Sequence, residues 1–143
     1  MLLKPNRTKY NKSRRGHLSG PVSSFRPIKN GRFALIAQES VLLSAHQIES
    51  TRQVINRYLK RKGKIWIRAF PDLPVTSKPT EVRMGKGKGA INEWVCRTRK
   101  GKVLFEVDGA ADQRILEAFQ AARKKLPLKT LIFRNSWKLP LKV

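Results

Sequence analysis

The sequence predicts an α+β fold: a two-layer α/β sandwich with two helices on one face of a mostly antiparallel sheet, preceded by a basic extended N-terminal arm. Three observations predict it. Short runs of aliphatic and aromatic residues alternate with two amphipathic helical stretches. Hydrophobic residues make up 40% of the 143 positions, enough for a core in a chain of single-domain length. Residues 1–38 contain no Asp or Glu. The expected organisation is a basic extended arm over 1–31, one sandwich over 32–134 and a basic tail over 135–143.

In the arm, Lys4, Arg7, Lys9, Lys12, Arg14 and Arg15 are followed by Arg26, Lys29 and Arg32, with Gly and Pro between them. Such a run cannot bury enough apolar surface to fold alone, and it would order on RNA. A disordered tail without a specific partner is the alternative. Arg32–Ala37 has the content of a short strand. Ser44 and Gln47 then form a capping box that opens a helix running to about Lys62. Ile48, Ile55 and Leu59 share one stripe of it, Arg57, Lys60 and Arg61 project elsewhere, and Gly63 supplies the stop. The cationic face is a solvated surface by default and an RNA contact only where phosphate lies opposite.

Lys64–Phe70 alternates with apolar bulk on both sides, which predicts a central strand. Pro71, Pro74 and Pro79 predict an irregular crossing. Residues 92–99 and 103–107, separated by Lys and Gly, read as a hairpin. A second helix is expected from about Ala111 to Leu126: Ile115, Phe119, Ala122 and Leu126 share a face, acids sit early and bases late, and Pro127 ends it. Lys129–Arg134 offers a last strand, for about five in all, before a tail containing Trp137.

Lys and Arg number 32 against 9 Asp and Glu, a formal charge of +23. A free soluble domain carries a magnitude of about 2 to 8, so a polyanion is expected in the working state. Nucleic acid and an anionic membrane surface are the candidates, and no apolar run approaches the roughly 18 residues of a spanning helix. Cys96 is the only cysteine, which excludes an intramolecular disulfide framework. The first residues lack the apolar core of a secretory signal, and Pro5, Pro21 and Pro27 spoil an amphipathic transit helix, so the arm reads as part of the mature protein.

The run Arg83, Met84, Gly85, Lys86, Gly87, Lys88, Gly89 alternates bare backbone with cations and holds no acid. Glycine lets main chain approach a polyphosphate closely while the lysines supply charge. The Walker spacing is absent, because no Ser or Thr follows a Gly-Lys pair, so nucleotide triphosphate binding is not expected. A solvated hairpin tip is the bland alternative. His17 and His46 have no partners at ligand spacing, so no metal or cofactor is assigned. Cys96 reads as a small buried hydrophobe, and Asp108 and Asp112 as turn and helix-start residues, which leaves no catalytic residue and no small-molecule substrate. Trp66, Phe70, Trp94 and Phe105 read as core before stacking platforms. Without a helix-turn-helix, zinc-finger or RNP motif, backbone and shape readout is expected.

Gly63–Asp72 (GKIWIRAFPD), Pro74–Thr76, Lys78, Pro79, Val82–Gly89 (VRMGKGKG), Trp94 and Val95 closely resemble the universal large-subunit ribosomal protein family number sixteen of bacteria and organelles. Pro5, Arg7–Tyr10, Gln47–Glu49, Gly101–Gly109 and Lys125–Thr130 agree, so the likeness covers most of the chain. The resemblance implies an α/β sandwich and a non-enzymatic constituent of the large subunit, in contact with neighbouring ribosomal proteins. It implies binding to large-subunit ribosomal RNA, here by Lys4, Arg7, Lys9, Lys12, Arg14, Arg15, Arg57, Lys60 and Arg61. By the same resemblance, loop 83–89 is directed towards the transfer-RNA acceptor end near the peptidyl transferase region, and Arg83 matches a site hydroxylated in some bacterial members. Residues 13–44 and the last eleven residues depart from the family pattern. That drift favours a mitochondrial version over a bacterial one. A free RNA-binding regulator or chaperone is the rival function, and a phosphate-substrate enzyme a more distant one.

Overall fold

β1 (Phe33–Ala37) is buried along its whole length, and the larger sheet is built around it. It pairs antiparallel with β6 (Val103–Asp108) on one side and β7 (Thr130–Arg134) on the other. The edge strand β3 (Lys64–Ile67) pairs with β6, giving the order β3-β6-β1-β7. The structure is a computed structural model and describes residues 3–18, 20 and 28–135. Within these, 3–18 form no helix or strand, and Arg26, Trp137 and the rest of the tail beyond Asn135 lie outside.

Alternation along β1 divides two apolar layers. Phe33, Leu35 and Ala37 join the main core, whereas Ala34 and Ile36 form a smaller cluster on the opposite face with Val103 and Ile28. Between Leu35 and Ile36 the pairing with β6 slips, so Leu104 is an extra residue. This bulge lets both Leu104 and Phe105 enter the main core.

Two helices cover that core. α1 (Ala45–Tyr58) begins as expected: Ser44 Oγ accepts the Gln47 N–H at 3.2 Å while Gln47 Oε1 accepts the Ser44 N–H at 3.0 Å. Ile48, Thr51 and Ile55 are its buried residues. It ends four residues earlier than expected, because Lys60 and Arg61 take left-handed φ values of 50° and 61° ahead of Gly63. α2 (Asp112–Arg123) buries Ile115, Ala118, Phe119 and Ala122, and packs against α1.

The single sheet expected from sequence is two. β2 (Val41–Ser44), β5 (Ala90–Thr98) and β4 (Leu73–Ser77) form a second antiparallel sheet in the order β2-β5-β4. Among the described residues seven strands therefore replace five. The proline-rich crossing contains β4, since Pro74 sits on an edge strand, where a missing N–H is tolerated. The expected 92–99/103–107 hairpin does not form: β5 and β6 lie in different sheets, and the turn between them is bonded to β1, with Gly101 N–H on Ala37 O at 2.7 Å. β3 is an edge strand and not central. Its Trp66 is half-buried beneath the Lys64 ammonium, 5.4 Å from the ring centroid.

Where the arm enters the body, Glu106 is fully buried. Its carboxylate accepts the backbone N–H groups of Lys29 (3.3 Å), Asn30 (2.7 Å) and Gly31 (3.1 Å) and pairs with the Arg68 guanidinium. Burial alone would raise its pKa, but the three N–H donors and the Arg68 charge outweigh burial and hold it below the ordinary 4.5. Beside it, Arg32 donates to Asp108 at 2.9 Å and pairs with Asp112 at 3.0 Å, and Asp112 also holds Arg134 at 2.9 Å. The two aspartates thus do more than start a turn and a helix.

Candidate nucleic-acid interface

Loop 83–89 is the tip of the β4–β5 hairpin. Twelve residues separate Ser77 from Ala90, a length at which connections tend to be functional. Arg83 to Lys88 are exposed, Met84 to 95%, and Gly89 is half-buried. The glycines serve two different needs. Gly85 and Gly87 have φ of 95° and 85° in open space, and Lys86 between them is drawn into the same region at 52°. At Gly89, a Cβ would lie 2.4 Å from Ser77 O, so the backbone of β4 leaves room for hydrogen only. Just below, the β4–β5 register slips between Val75 and Thr76, a bulge at the hairpin base.

The lysines of this region reach main-chain oxygens. Lys78 Nζ donates to Gly85 O. Lys12 Nζ, in the arm, donates to Lys88 O at 3.0 Å, and Lys88 Nζ donates back to Ser13 O at 2.6 Å. The structure therefore brings together two stretches that the sequence separates by seventy-five residues. Neither ammonium is ion-paired among the described residues. The roles of Lys78 and Ser13 were not legible: bonds to carbonyl oxygen leave no side-chain signature at the other end.

Lys4, Arg7, Lys9, Arg14 and Arg15 of the arm are exposed too. Leu3 is buried in the main core and ties the start of the arm to the body. Lys4 lines a groove with His46, Glu49 and Trp94, and Arg15 a second one with Gln47 and Glu93. Arg57, Lys60 and Arg61 are also exposed and lie around a groove of about 390 Å³ at the end of α1 that Arg52, Gln53 and Asn56 complete. Arg52 was absent from the expected set. It is held by Glu49 at 2.6 Å, and this hydrogen bond keeps the Glu49 carboxyl below its ordinary value.

The other expectations divide. Cys96 and Phe105 are buried, as read, whereas Phe70 is 49% exposed and Trp66 and Trp94 are half-buried. No cluster of His, Cys, Asp or Glu among the described residues could hold a metal ion, and no helix among them is long and apolar enough to cross a membrane.

Residues 5–133 match the family model for ribosomal protein L16p/L10e. Similar proteins named large ribosomal subunit protein uL16 occur in Chelativorans sp. (strain BNC1) and Rhizobium etli (strain CIAT 652). Each is 46% identical over 129 residues, covering 90% of this chain and 94% of theirs. The protein of that name from Sinorhizobium medicae (strain WSM419) is 45% identical over the same length. These relatives are bacterial, and the mitochondrial setting expected from the divergent segments gains no support from them. Extending over nine-tenths of the sequence, the match shows that the chain belongs to the ribosomal protein L16p/L10e family.

Proposed function

We propose that this large-subunit ribosomal protein binds ribosomal RNA through its arm and the basic end of α1, and presents loop 83–89 to transfer RNA. The division into an arm (1–31), a body (32–134) and a tail (135–143) belongs to the same reading. One observation carries it: an exposed loop of cations and glycines without an acid, mounted on a chain of charge +23. Such a surface repels itself until phosphate neutralises it. The absence of a helix-turn-helix, zinc-finger or RNP motif from the sequence favours contact with backbone and shape. A bacterial cytoplasmic ribosome is the setting that the named relatives favour.

Sedimentation tests the reading. The chain should run stoichiometrically with washed large subunits, whereas recovery only with free RNA would favour a regulator or chaperone outside the ribosome. With about 6 to 10 phosphates neutralised, raising salt from about 50 to about 200 mM should weaken binding of the isolated protein to ribosomal RNA by roughly 10³ to 10⁵. Ribosomes carrying Arg83→Ala, Lys86→Ala and Lys88→Ala together should assemble yet position transfer RNA poorly. Normal elongation by them would remove the loop from the proposal.

A further inference from the structure

We infer that the end of α1 gives up folding stability to grip RNA: Lys60 stands in a left-handed turn where glycine would be more stable, and its ammonium meets a phosphate of a sugar-phosphate backbone lying in the groove there. The inference rests on the RNA-binding reading above and adds how the helix end is made for it. The Arg61 amide donates to Asn56 O at 3.2 Å and the Lys60 amide to Arg57 O at 3.1 Å. With Leu59 as the cap, these are the two closing bonds of a Schellman motif, and they put Lys60 at the position where the backbone turns left-handed and glycine is the usual residue. Lys60 holds φ at 50° and Arg61 follows at 61°, although Gly63 stands only two residues further on. A Cβ in this region crowds the following carbonyl, a penalty that glycine escapes. Side chains kept in such conformations gather at functional sites.

The groove is the second, independent observation. On a straight helix Arg57, Lys60 and Arg61 would form a convex stripe, since residues three and four apart share a face. Because the chain leaves the helix direction at Lys60, the stripe is closed at that end, and the three cations line one groove of about 390 Å³ with Arg52. No Asp or Glu lines it, and among the described residues Arg57, Lys60 and Arg61 make no ion pair. No aromatic ring lines it to stack a base, which favours the backbone as the occupant. Gln53 and Asn56 add amide groups, whose N–H donors suit phosphate and 2′-hydroxyl oxygens.

Two variants of the full-length protein, Lys60→Gly and Lys60→Gln, separate the strain from the charge. Both remove the ammonium, so for binding to large-subunit ribosomal RNA each should lower the log–log salt slope by about 1. Only glycine relaxes the turn. The free Lys60→Gly protein should therefore melt about 4 °C above Lys60→Gln, and the relief of like-charge repulsion, common to both, drops out of the comparison. Equal melting temperatures would mean that the left-handed turn asks nothing of a side chain, and an unchanged slope in either variant would mean that Lys60 meets no phosphate; either result overturns the inference. A flat salt titration for the unaltered protein would instead defeat RNA binding itself, so the two failures are told apart.

Discussion

The Glu106 carboxylate accepts the Asn30 backbone N–H at 2.7 Å, across seventy-six residues of sequence, and so fastens the arm's exit to the middle of the four-stranded sheet. Ala34 and Trp66 lie opposite Glu106 on the neighbouring strands, so the carboxylate stands on the sheet face away from the helices. It is the fixed point from which the arm departs.

Glu106→Gln keeps the shape and removes the charge, leaving Arg68 and three N–H donors with a weaker acceptor. Breaking a buried pair from one side should cost about 3 kcal/mol. Urea unfolding should show a lower midpoint at an unchanged slope with denaturant, and amides 29–31 should exchange faster with solvent.

Acid should loosen the same joint. The folded pKa of Glu106 lies below the ordinary 4.5, so its contribution is complete above that value and disappears as pH falls through the depressed one. Glu49, held down chiefly by its hydrogen bond from Arg52, acts in the same direction but is more open to solvent. Stability measured from pH 7 downwards should stay level and then decline below about pH 4.5. The decline should be shallower in Glu106→Gln.

Gly89→Ala would place a methyl group 2.4 Å from Ser77 O, a backbone atom that cannot swing aside. The loop must re-seat on its hairpin at a cost of about 1 to 3 kcal/mol. Gly87→Ala meets nothing within 4 Å but must hold φ at 85°, at about 1 to 2 kcal/mol. Hydrogen exchange should show the first variant disturbing β4 and the second only the loop tip.

Ser44→Ala removes one half of the capping box and should destabilise the protein by about 1 kcal/mol in thermal unfolding. Ser44→Asp should recover most of the loss, because a carboxylate can also accept the Gln47 N–H.

This cap was legible in the sequence because its partners lie three residues apart, and α2 because its buried stripe has helical period. β1 and β7 were legible as compact apolar runs. β2 was hidden by its brevity and by its position against a helix start, and β4 by Pro74, which excludes a central strand but not an edge. Centrality was misjudged for β3 because apolar bulk on both sides reports packing and not the number of paired neighbours. The same limit joined β5 and β6 wrongly, since strand pairing is not local. In the candidate site, charge and glycine spacing marked the loop and the arm separately. Their meeting through Lys12, Ser13 and Lys88 runs through main-chain oxygens, which every residue has. Glu106 did leave a trace, as the lone acid inside VLFEV, but its partners are backbone groups without identity.

β5 has nine residues and spans about 30 Å, with the cationic tip at one end and the Gly101 turn, bonded to Ala37, at the other. β5 therefore ties the cationic tip to the end of β1, and its Cys96, buried in the main core, anchors the smaller sheet on the way.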